Sequence, residues 1–408
     1  MEKVVLAYSG GLDTSVAIPW IKENYDLDVI ALTIDLGQGR ELEGVPERAL
    51  ANGAIEAHVE DARALFVERF VFPSLQAGAK YEDAYYLATA LGRPLIAWLL
   101  VETAQKVGAV AVAHGSTGKG NDQVRFDVSI GTLDPNLRII APIREWSMNR
   151  DQEIEYATAR GLDIPVTVES PYSTDENLWG RSIESGVLED AWHEPPNDVW
   201  LWTSDPADAP DQPLDLEIGF KAGVPVSLDG EEMDGVQLIT RLHEIGGRHG
   251  IGRADHIENR LIGIKSREIY EMPAAEILHR AHYALETMTL SRDQMRFKAQ
   301  VSAEYARMVY DGLWFSGLHR DLAAFLGSNQ EKVTGSVRMR LHKGHATVTG
   351  RSSEDSLYRP ELATYGADDS FDHNAAVGFI KLHGLSQQTQ AQLQLGAGGE
   401  KLLPPGGN

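Results

Sequence analysis

Cysteine is absent from the 408 residues of this chain. Its absence excludes disulfides, zinc sites built on thiolates and a cysteine nucleophile. A reducing compartment is the natural setting for such a chain, so we expect a cytoplasmic protein. The sequence also shows no basic and apolar leader before its first predicted strand, which argues against secretion.

Long apolar runs and basic residues are also scarce. No window approaches the ~18 uncharged apolar residues of a membrane span, so no contact with a membrane is predicted. Lys and Arg number 37 against 60 Asp and Glu, which gives a formal net charge of −23. Proteins that hold nucleic acid usually present a basic face, so nucleic acid is not an expected partner. ATP remains a possible ligand, because a local nest of backbone N–H groups binds phosphate whatever the net charge.

The length favours two domains, and the first part of the chain alternates strand and helix signals. Apolar runs predict strands at 3–8, 29–34, 54–59, 107–113 and 137–143, and a helix is expected over 93–106 with Pro94 in its first turn. Such alternation indicates an α/β fold with a doubly wound, Rossmann-like parallel sheet. Ligands of these sheets bind beyond the carboxyl ends of the strands.

The alternation stops near 161–171, and the rest of the chain has α+β character. Hairpins are predicted from 214–220 with 224–228 and from 333–341 with 345–348, and helices over 236–245 and 276–287. A last helix is expected over 371–385, capped by Asp372. The predicted parts are therefore a nucleotide-binding domain (1–165), a second domain (166–368), a C-terminal helix (369–395) and a disordered tail (396–408).

A glycine-rich turn follows the first predicted strand and opens a helix, with the sequence Ser-Gly-Gly-Leu-Asp-Thr-Ser over 9–15. Glycines let backbone N–H groups approach an anion, and the helix N-terminus adds partial positive charge. Ser9, Thr14 and Ser15 add hydroxyl donors. The Lys-Ser/Thr pair of the ordinary P-loop is missing. The alternative interpretation is a tight structural turn.

Further blocks make the pattern specific: His-Gly-Ser-Thr-Gly-Lys-Gly-Asn-Asp-Gln-Val-Arg-Phe over 114–126, Gly-Gly-Arg-His-Gly-Ile-Gly-Arg over 246–253, Ile-Glu-Asn-Arg over 257–260, and Lys-Ser-Arg-Glu-Ile-Tyr-Glu over 265–271. Pro-Tyr-Ser over 171–173 and Gly-Val-Leu-Glu-Asp over 186–190 accompany them. With the loop at 9–15, this set resembles the argininosuccinate synthase family of the N-type ATP pyrophosphatase (PP-loop) superfamily. The resemblance extends over roughly 1–385.

The resemblance implies a HUP-type nucleotide-binding domain, a synthetase and multimerisation domain, and a homotetramer to which the C-terminal helix contributes. It implies an enzyme that ligates L-citrulline and L-aspartate to argininosuccinate through a citrullyl-adenylate, with ATP giving AMP and pyrophosphate. Such a reaction serves arginine biosynthesis and the urea cycle. Mg²⁺ is expected on the ATP phosphates, and no resident protein metal is expected.

The resemblance also implies three groups of site residues. ATP contacts are expected from Ala7, Tyr8, Ser9, Gly10, Gly11, Leu12, Asp13, Thr14, Ser15, Ile34 and Gly115. Aspartate contacts are expected from Thr117, Asn121 and Asp122. Citrulline contacts are expected from Tyr85, Asn121, Arg125, Ser173, Ser182, Glu258 and Tyr270.

Ser9, Asp13 and Asp122 are the residues expected closest to the chemistry. Asp13 would orient loop amides or lie near Mg²⁺, with plain helix capping as the alternative. Asp122 suits the amino group of aspartate and Thr117 a carboxylate oxygen. Arg125 would offer a planar fork to the citrulline carboxylate, and Glu258 suits the α-ammonium group.

One position departs from the family pattern. Ala90 stands where a citrulline-contacting serine is expected. Either one hydrogen bond is missing there, worth ~1 kcal/mol, or Thr89 replaces it.

Three other hypotheses have weaker support. His243, Glu244 and His249 suggest a metal site, but their spacing is not H-E-x-x-H, and Gly246 and Gly247 are expected to interrupt any helix there. A tRNA-modifying PP-loop enzyme is disfavoured by the acidic charge and by the lack of a cysteine to carry sulfur. A non-catalytic ATP-binding regulator would not need the substrate blocks, which are intact.

Overall fold

The computed structural model describes residues 1–146, 148–164 and 172–396. The chain divides into two compact units, Met1–Asp355 and Ser356–Asn408. Within the described residues, no helix combines the length and apolar character that a bilayer crossing needs. The predicted domain boundary at 165/166 lies outside the described residues and stays a prediction, and so does the predicted disorder of all but the first residue of the tail.

A five-stranded parallel sheet lies in the N-terminal part, with strand order β3-β2-β1-β4-β5. Its strands are β1 (Lys3–Ala7), β2 (Asp28–Asp35), β3 (Glu56–Asp61), β4 (Ala111–Ala113) and β5 (Arg138–Ile140). Val5 packs into one apolar core, whereas Val4 and Leu6 pack into another on the opposite face. Side chains alternate between the faces of a strand, so helices cover both faces, and the predicted doubly wound sheet is confirmed.

The helices of this part are α1 (Leu12–Tyr25), α2 (Val45–Ala51), α3 (Arg63–Phe66), α4 (Phe72–Ala77), α5 (Ala88–Val107), α6 (Asp122–Leu133), α7 (Pro142–Glu145) and α8 (Arg150–Arg160). The predicted start of the long helix at 93 was wrong. Helix α5 begins at Ala88 and Pro94 lies inside it. Pro94 removes one backbone hydrogen bond, but fully buried Leu91 and Leu95 hold both sides of it in the core.

The remaining strands are β6 (Ser173–Asn177), β7 (Gly180–Glu184), β8 (Leu214–Lys221), β9 (Val224–Leu228), β10 (Glu231–Glu232), β11 (Arg253–Asn259), β12 (Lys265–Glu271), β13 (Gly335–His342) and β14 (His345–Ser352). They form a five-stranded sheet, β10-β9-β8-β13-β14, and a four-stranded sheet, β11-β12-β7-β6. Both predicted hairpins belong to the former and are confirmed. Asp229 and Gly230 turn the chain from β9 into β10.

Four long helices complete this unit: α9 (Gly235–Arg248), α10 (Pro273–Thr289), α11 (Arg292–Tyr310) and α12 (Gly317–Gln330). The expectation that Gly246 and Gly247 interrupt a helix was wrong, because α9 continues through both. A Cβ on Gly246 would lie 2.8 Å from Cδ1 of Ile277, and one on Gly247 would lie 2.1 Å from the carbonyl oxygen of Trp202. These glycines permit close packing and do not end the helix.

The second unit contains short helices, α13 (Pro360–Ala363), α14 (His373–His383) and α15 (Leu385–Gln390). The predicted C-terminal helix is confirmed, and the Asp372 side chain accepts a hydrogen bond from the Asn374 N–H at its start. Its large apolar side chains Val377, Phe379, Ile380 and Leu382 are between 64% and 74% exposed.

Candidate active site

A cavity of about 830 Å³ opens at the carboxyl ends of β1, β2 and β4 and is closed on its other side by the polar four-stranded sheet. Most residues predicted for the site line it: Ala7, Tyr8, Ser9, Gly10, Gly11, Thr14, Ile34, Tyr85, Gly115, Thr117, Asn121, Asp122, Arg125, Ser173, Ser182, Glu258 and Tyr270. Leu12, Asp13 and Ser15 are not among the lining residues. The position agrees with the rule that ligands of such sheets bind beyond the strand ends.

The loop between β1 and α1 has the geometry of an anion site. Gly10 has a φ of +78°, in the left-handed region that glycine adopts without strain. Gly11 is the N-cap of α1, and no side chain caps this helix, so its first-turn N–H groups are available to a ligand. The hydroxyl groups of Ser9 and Thr14 lie 3.1 Å apart, and that of Ser15 lies 2.9 Å from the Tyr8 hydroxyl.

The Asp13 carboxyl faces α8 and not the cavity lining. Burial, followed by the interaction with Asp13, raises the pKa of Glu153 on α8 to about 8. Glu153 therefore carries a proton at neutral pH. Helix capping, the alternative role for Asp13, does not fit, because the N-cap is Gly11.

Asp122, the first residue of α6, is held by two guanidinium groups. Its Oδ1 lies 2.9 Å from Nη1 of Arg125, and its Oδ2 lies 2.8 Å from Nη2 of Arg93. Burial alone would raise the pKa of Asp122, but the two arginines outweigh burial and lower it. Asp122 is therefore an ionised carboxylate fixed in position at the cavity wall.

Arg93 also pairs with Asp175 on β6. Burial and the charge of Asp122 raise the pKa of Asp175, although Arg93 opposes them. Sequence reasoning assigned no role to either residue, because α5 and β6 are distant in the chain and no local pattern indicates that the two residues pair.

The guanidinium group of Arg125 is buried and largely occupied. Its Nε donates to the carbonyl oxygen of Tyr310 at 3.0 Å and its Nη1 to Asp122 at 2.9 Å. Only Nη2 is buried without a partner. The expected two-pronged fork is thus reduced to a single free nitrogen, since the protein itself occupies the other two.

Two tyrosine hydroxyls donate to the carboxylate of Glu258. Tyr270 donates to Oε2 at 2.5 Å and Tyr310 to Oε1 at 2.6 Å. Tyr85 stacks on Tyr270 with ring centres 4.3 Å apart. Tyr310 was not predicted, yet it also accepts a hydrogen bond from the Asn121 side chain at 2.8 Å. These contacts fix the Glu258 carboxylate at the cavity surface.

Thr89, not Ala90, faces the cavity. Ala90 is fully buried, whereas Thr89 lines the cavity with its Oγ1 3.4 Å from Oγ of Ser182. The backbone N–H groups of both residues donate to the Tyr85 hydroxyl, at 2.8 and 3.3 Å. A hydroxyl group is therefore present on this wall despite Ala90.

A second acidic pair, also not predicted, surrounds Arg260. Its Nη2 donates to Glu268 at 2.6 Å and also contacts Glu184. Burial, followed by the charge of Glu184, raises the pKa of Glu268 to about 8 despite Arg260. The negative potential of Glu184, which contributes to the raised pKa of Glu268, also suits cationic groups such as the ammonium groups of amino acids.

His114 orders the loop after β4. Its Nδ1 accepts the Ser116 N–H at 3.2 Å, so the proton is on Nε2, which donates to Asp127 at 2.8 Å. Burial alone would raise the pKa of Asp127, but His114 and Arg144 lower it. The pair fixes the direction in which Gly115 and Ser116 leave the strand.

The described part of the chain contains no group of three His, Cys, Asp or Glu side chains that could hold a metal ion. His243 instead lies 2.7 Å from the carbonyl oxygen of Leu178, and burial lowers its pKa to about 4.

Both halves of the chain match family models. The Arginosuccinate synthase N-terminal HUP domain matches residues 3–163, and the Arginosuccinate synthase C-terminal domain matches residues 172–390. The argininosuccinate synthase of Symbiobacterium thermophilum is 57% identical over 394 residues, with 96% of this chain and 98% of the relative covered. That of Oceanobacillus iheyensis is 55% identical, with 98% and 96% covered.

Proposed function

The chain belongs to the argininosuccinate synthase family, and on that premise we propose that its cavity joins L-citrulline and L-aspartate through a citrullyl-adenylate. It is an ATP-using ligase of arginine biosynthesis. One observation supports the finer proposal most directly: the anion-binding loop and the acidic walls suited to two amino acids line the same cavity.

The reaction has two displacements. The ureido oxygen of citrulline attacks the α-phosphorus of ATP, and the bond to the β-phosphate oxygen breaks and releases pyrophosphate. The amine of aspartate then attacks the activated carbon, loses a proton, and AMP leaves. Neither step needs a protein nucleophile, so catalysis is positional and electrostatic.

Each wall of the cavity takes one part of the substrates. The loop at 9–15 would hold the phosphates, with Ile34 and Gly115 beside the nucleotide. Glu258 would bind the citrulline ammonium group, and Nη2 of Arg125 its carboxylate. Asp122 would bind the aspartate amine and Thr117 an aspartate carboxylate oxygen.

Mg²⁺ would enter with ATP. Mg²⁺ in such sites binds substrate phosphates and water with few protein carboxylates. The family further suggests a homotetramer in the cytoplasm.

A direct assay tests this proposal. The purified chain is incubated with ATP, Mg²⁺, citrulline and aspartate, and products are identified by mass spectrometry. We expect argininosuccinate, AMP and pyrophosphate in equal amounts, with no product if either amino acid is omitted. Release of ADP and phosphate would overturn the adenylation mechanism.

A further inference from the structure

The phosphate-binding loop has no cation of its own, because residues 9–15 contain neither Lys nor Arg. A leaving pyrophosphate gains negative charge and needs a positive group nearby. The residues lining the described cavity include four arginines and no lysine: Arg48, Arg93, Arg125 and Arg260.

Three of these arginines are neutralised at the amino-acid end of the cavity. Arg93 and Arg125 share Asp122, and Arg93 also contacts Asp175. Arg260 lies between Glu184 and Glu268. Each of the three is therefore already paired with carboxyl groups of the protein.

Arg48 on α2 lies at the other end, against the loop itself. Its Nη1 donates to the carbonyl oxygen of Gly10 at 3.0 Å. Contact is so close that a Cβ on Gly10 would lie 3.2 Å from this Nη1 and 2.8 Å from Cγ2 of Val45.

The charge of Arg48 is only weakly compensated. Among the described residues its ion-pair partner is Asp163, 3.9 Å from Nε, and the Asp163 side chain is 60% exposed and does not line the cavity. Nε itself is buried without a hydrogen-bond acceptor. The guanidinium group is thus held in place by the protein, with donor capacity to spare.

We propose that Arg48 binds the β- and γ-phosphates of ATP and stabilises the pyrophosphate as it leaves. This assignment rests on the proposed adenylation. As the ureido oxygen bonds to the α-phosphorus, the electron pair of the breaking P–O bond moves onto the pyrophosphate, next to Arg48. A planar guanidinium group can contact two phosphate oxygens while it keeps its bond to Gly10.

Binding of inorganic pyrophosphate and of AMP, each measured by calorimetry, tests the proposal. Arg48→Gln keeps an N–H donor but loses the charge, and we expect it to weaken pyrophosphate binding by at least about tenfold. AMP binding should stay within about twofold, since AMP lacks the phosphates concerned. Arg48→Lys should fall between wild type and Arg48→Gln.

Asp163→Asn is the matched control, because it removes the exposed ion-pair partner of Arg48 without touching the cavity. It should leave pyrophosphate affinity unchanged. Equal pyrophosphate affinity in wild type and Arg48→Gln would overturn the proposal, as would a parallel loss of AMP binding, which indicates that Arg48 only shapes the loop. Failure of the wild-type protein to release AMP from ATP would instead contradict the proposed function.

Discussion

At the scale of single residues, Arg125 shows how the protein limits its own ligand contacts. The sequence predicted a free planar fork, but Tyr310 and Asp122 occupy two of the three nitrogens. Tyr310 lies 185 positions from Arg125 along the chain, so no local sequence pattern could have indicated that Tyr310 occupies one of the Arg125 nitrogens. Motif residues were predictable because they follow strands in recognisable blocks, whereas their partners Arg93, Asp175 and Tyr310 come from distant elements.

Arg125→Lys should weaken citrulline binding by about 1–3 kcal/mol. A lysine ammonium group cannot contact Tyr310, Asp122 and a substrate carboxylate in the same geometry. The citrulline KM is the measurement, with Arg160→Lys, an exposed arginine paired with Glu23, as the control. An unchanged citrulline KM would show that Arg125 is structural only.

Asp122→Asn should raise the aspartate KM or abolish turnover while adenylation of citrulline survives. Asparagine keeps the shape between Arg93 and Arg125 but loses the charge that suits an amine. Survival of adenylation is measured as positional isotope exchange in ATP with citrulline present. If exchange is lost as completely as turnover, Asp122 does not act on aspartate alone.

Glu153 makes the stability of the fold depend on pH. Its pKa rises to about 8 in the folded protein, against ~4.3 in an unfolded chain. Between these values the folded state holds a proton that the unfolded state has lost, so folding becomes less favourable as pH rises. Glu153→Gln should therefore raise the melting temperature at pH 8 and change it little at pH 4.5. An equal change at both pH values would contradict this titration.

At the scale of elements, the predicted and unpredicted sheets differ in composition. The parallel sheet was predictable because its central strands are continuous apolar runs buried on both faces. The four-stranded sheet was not, because strands such as Ser173–Asn177 and Lys265–Glu271 are mostly polar and charged. The polar residues of Ser173–Asn177 line the cavity, together with Glu268 and Tyr270 of the other strand. The polar composition that made these strands hard to predict therefore also supplies part of the site.

A substitution at Gly247 tests how closely α9 packs against its neighbours. Alanine usually stabilises a helix interior relative to glycine by about 0.5–1 kcal/mol. At Gly247 the added Cβ would lie 2.1 Å from the Trp202 carbonyl oxygen, so Gly247→Ala should destabilise the protein by about 1–3 kcal/mol. Gly327→Ala in α12, where nothing lies within 4 Å, is the control and should be neutral or stabilising. Both are measured by urea unfolding, and equal effects would show that α9 shifts to admit the methyl group.

At the scale of the whole molecule, the distribution of charge explains why phosphates and amino acids are expected at different ends of the cavity. The overall acidity of −23 is compatible with ATP binding, because the proposed phosphate end presents backbone N–H groups and Arg48. At the amino-acid end, carboxyl groups outnumber arginines: Asp122, Asp175, Glu184 and Glu268 lie around Arg93, Arg125 and Arg260. Composition could indicate the overall charge but not its distribution between the two ends, which follows from how the sheets meet.

The exposed apolar face of the C-terminal helix α14 bears on the oligomeric state of the whole protein. Helix α14 is only 11 residues long, and a helix this short is marginal without packing, yet its apolar side chains Val377, Phe379, Ile380 and Leu382 are exposed. Such a face needs a cover, and we expect neighbouring subunits of a homotetramer to supply it. Deletion of residues 370–408 should lower the mass measured by light scattering, whereas deletion of 396–408 should not, because it leaves α14 intact. A full-length protein that is monomeric at micromolar concentration would contradict the tetramer, and an unchanged mass after the longer deletion would show that α14 is not part of the interface.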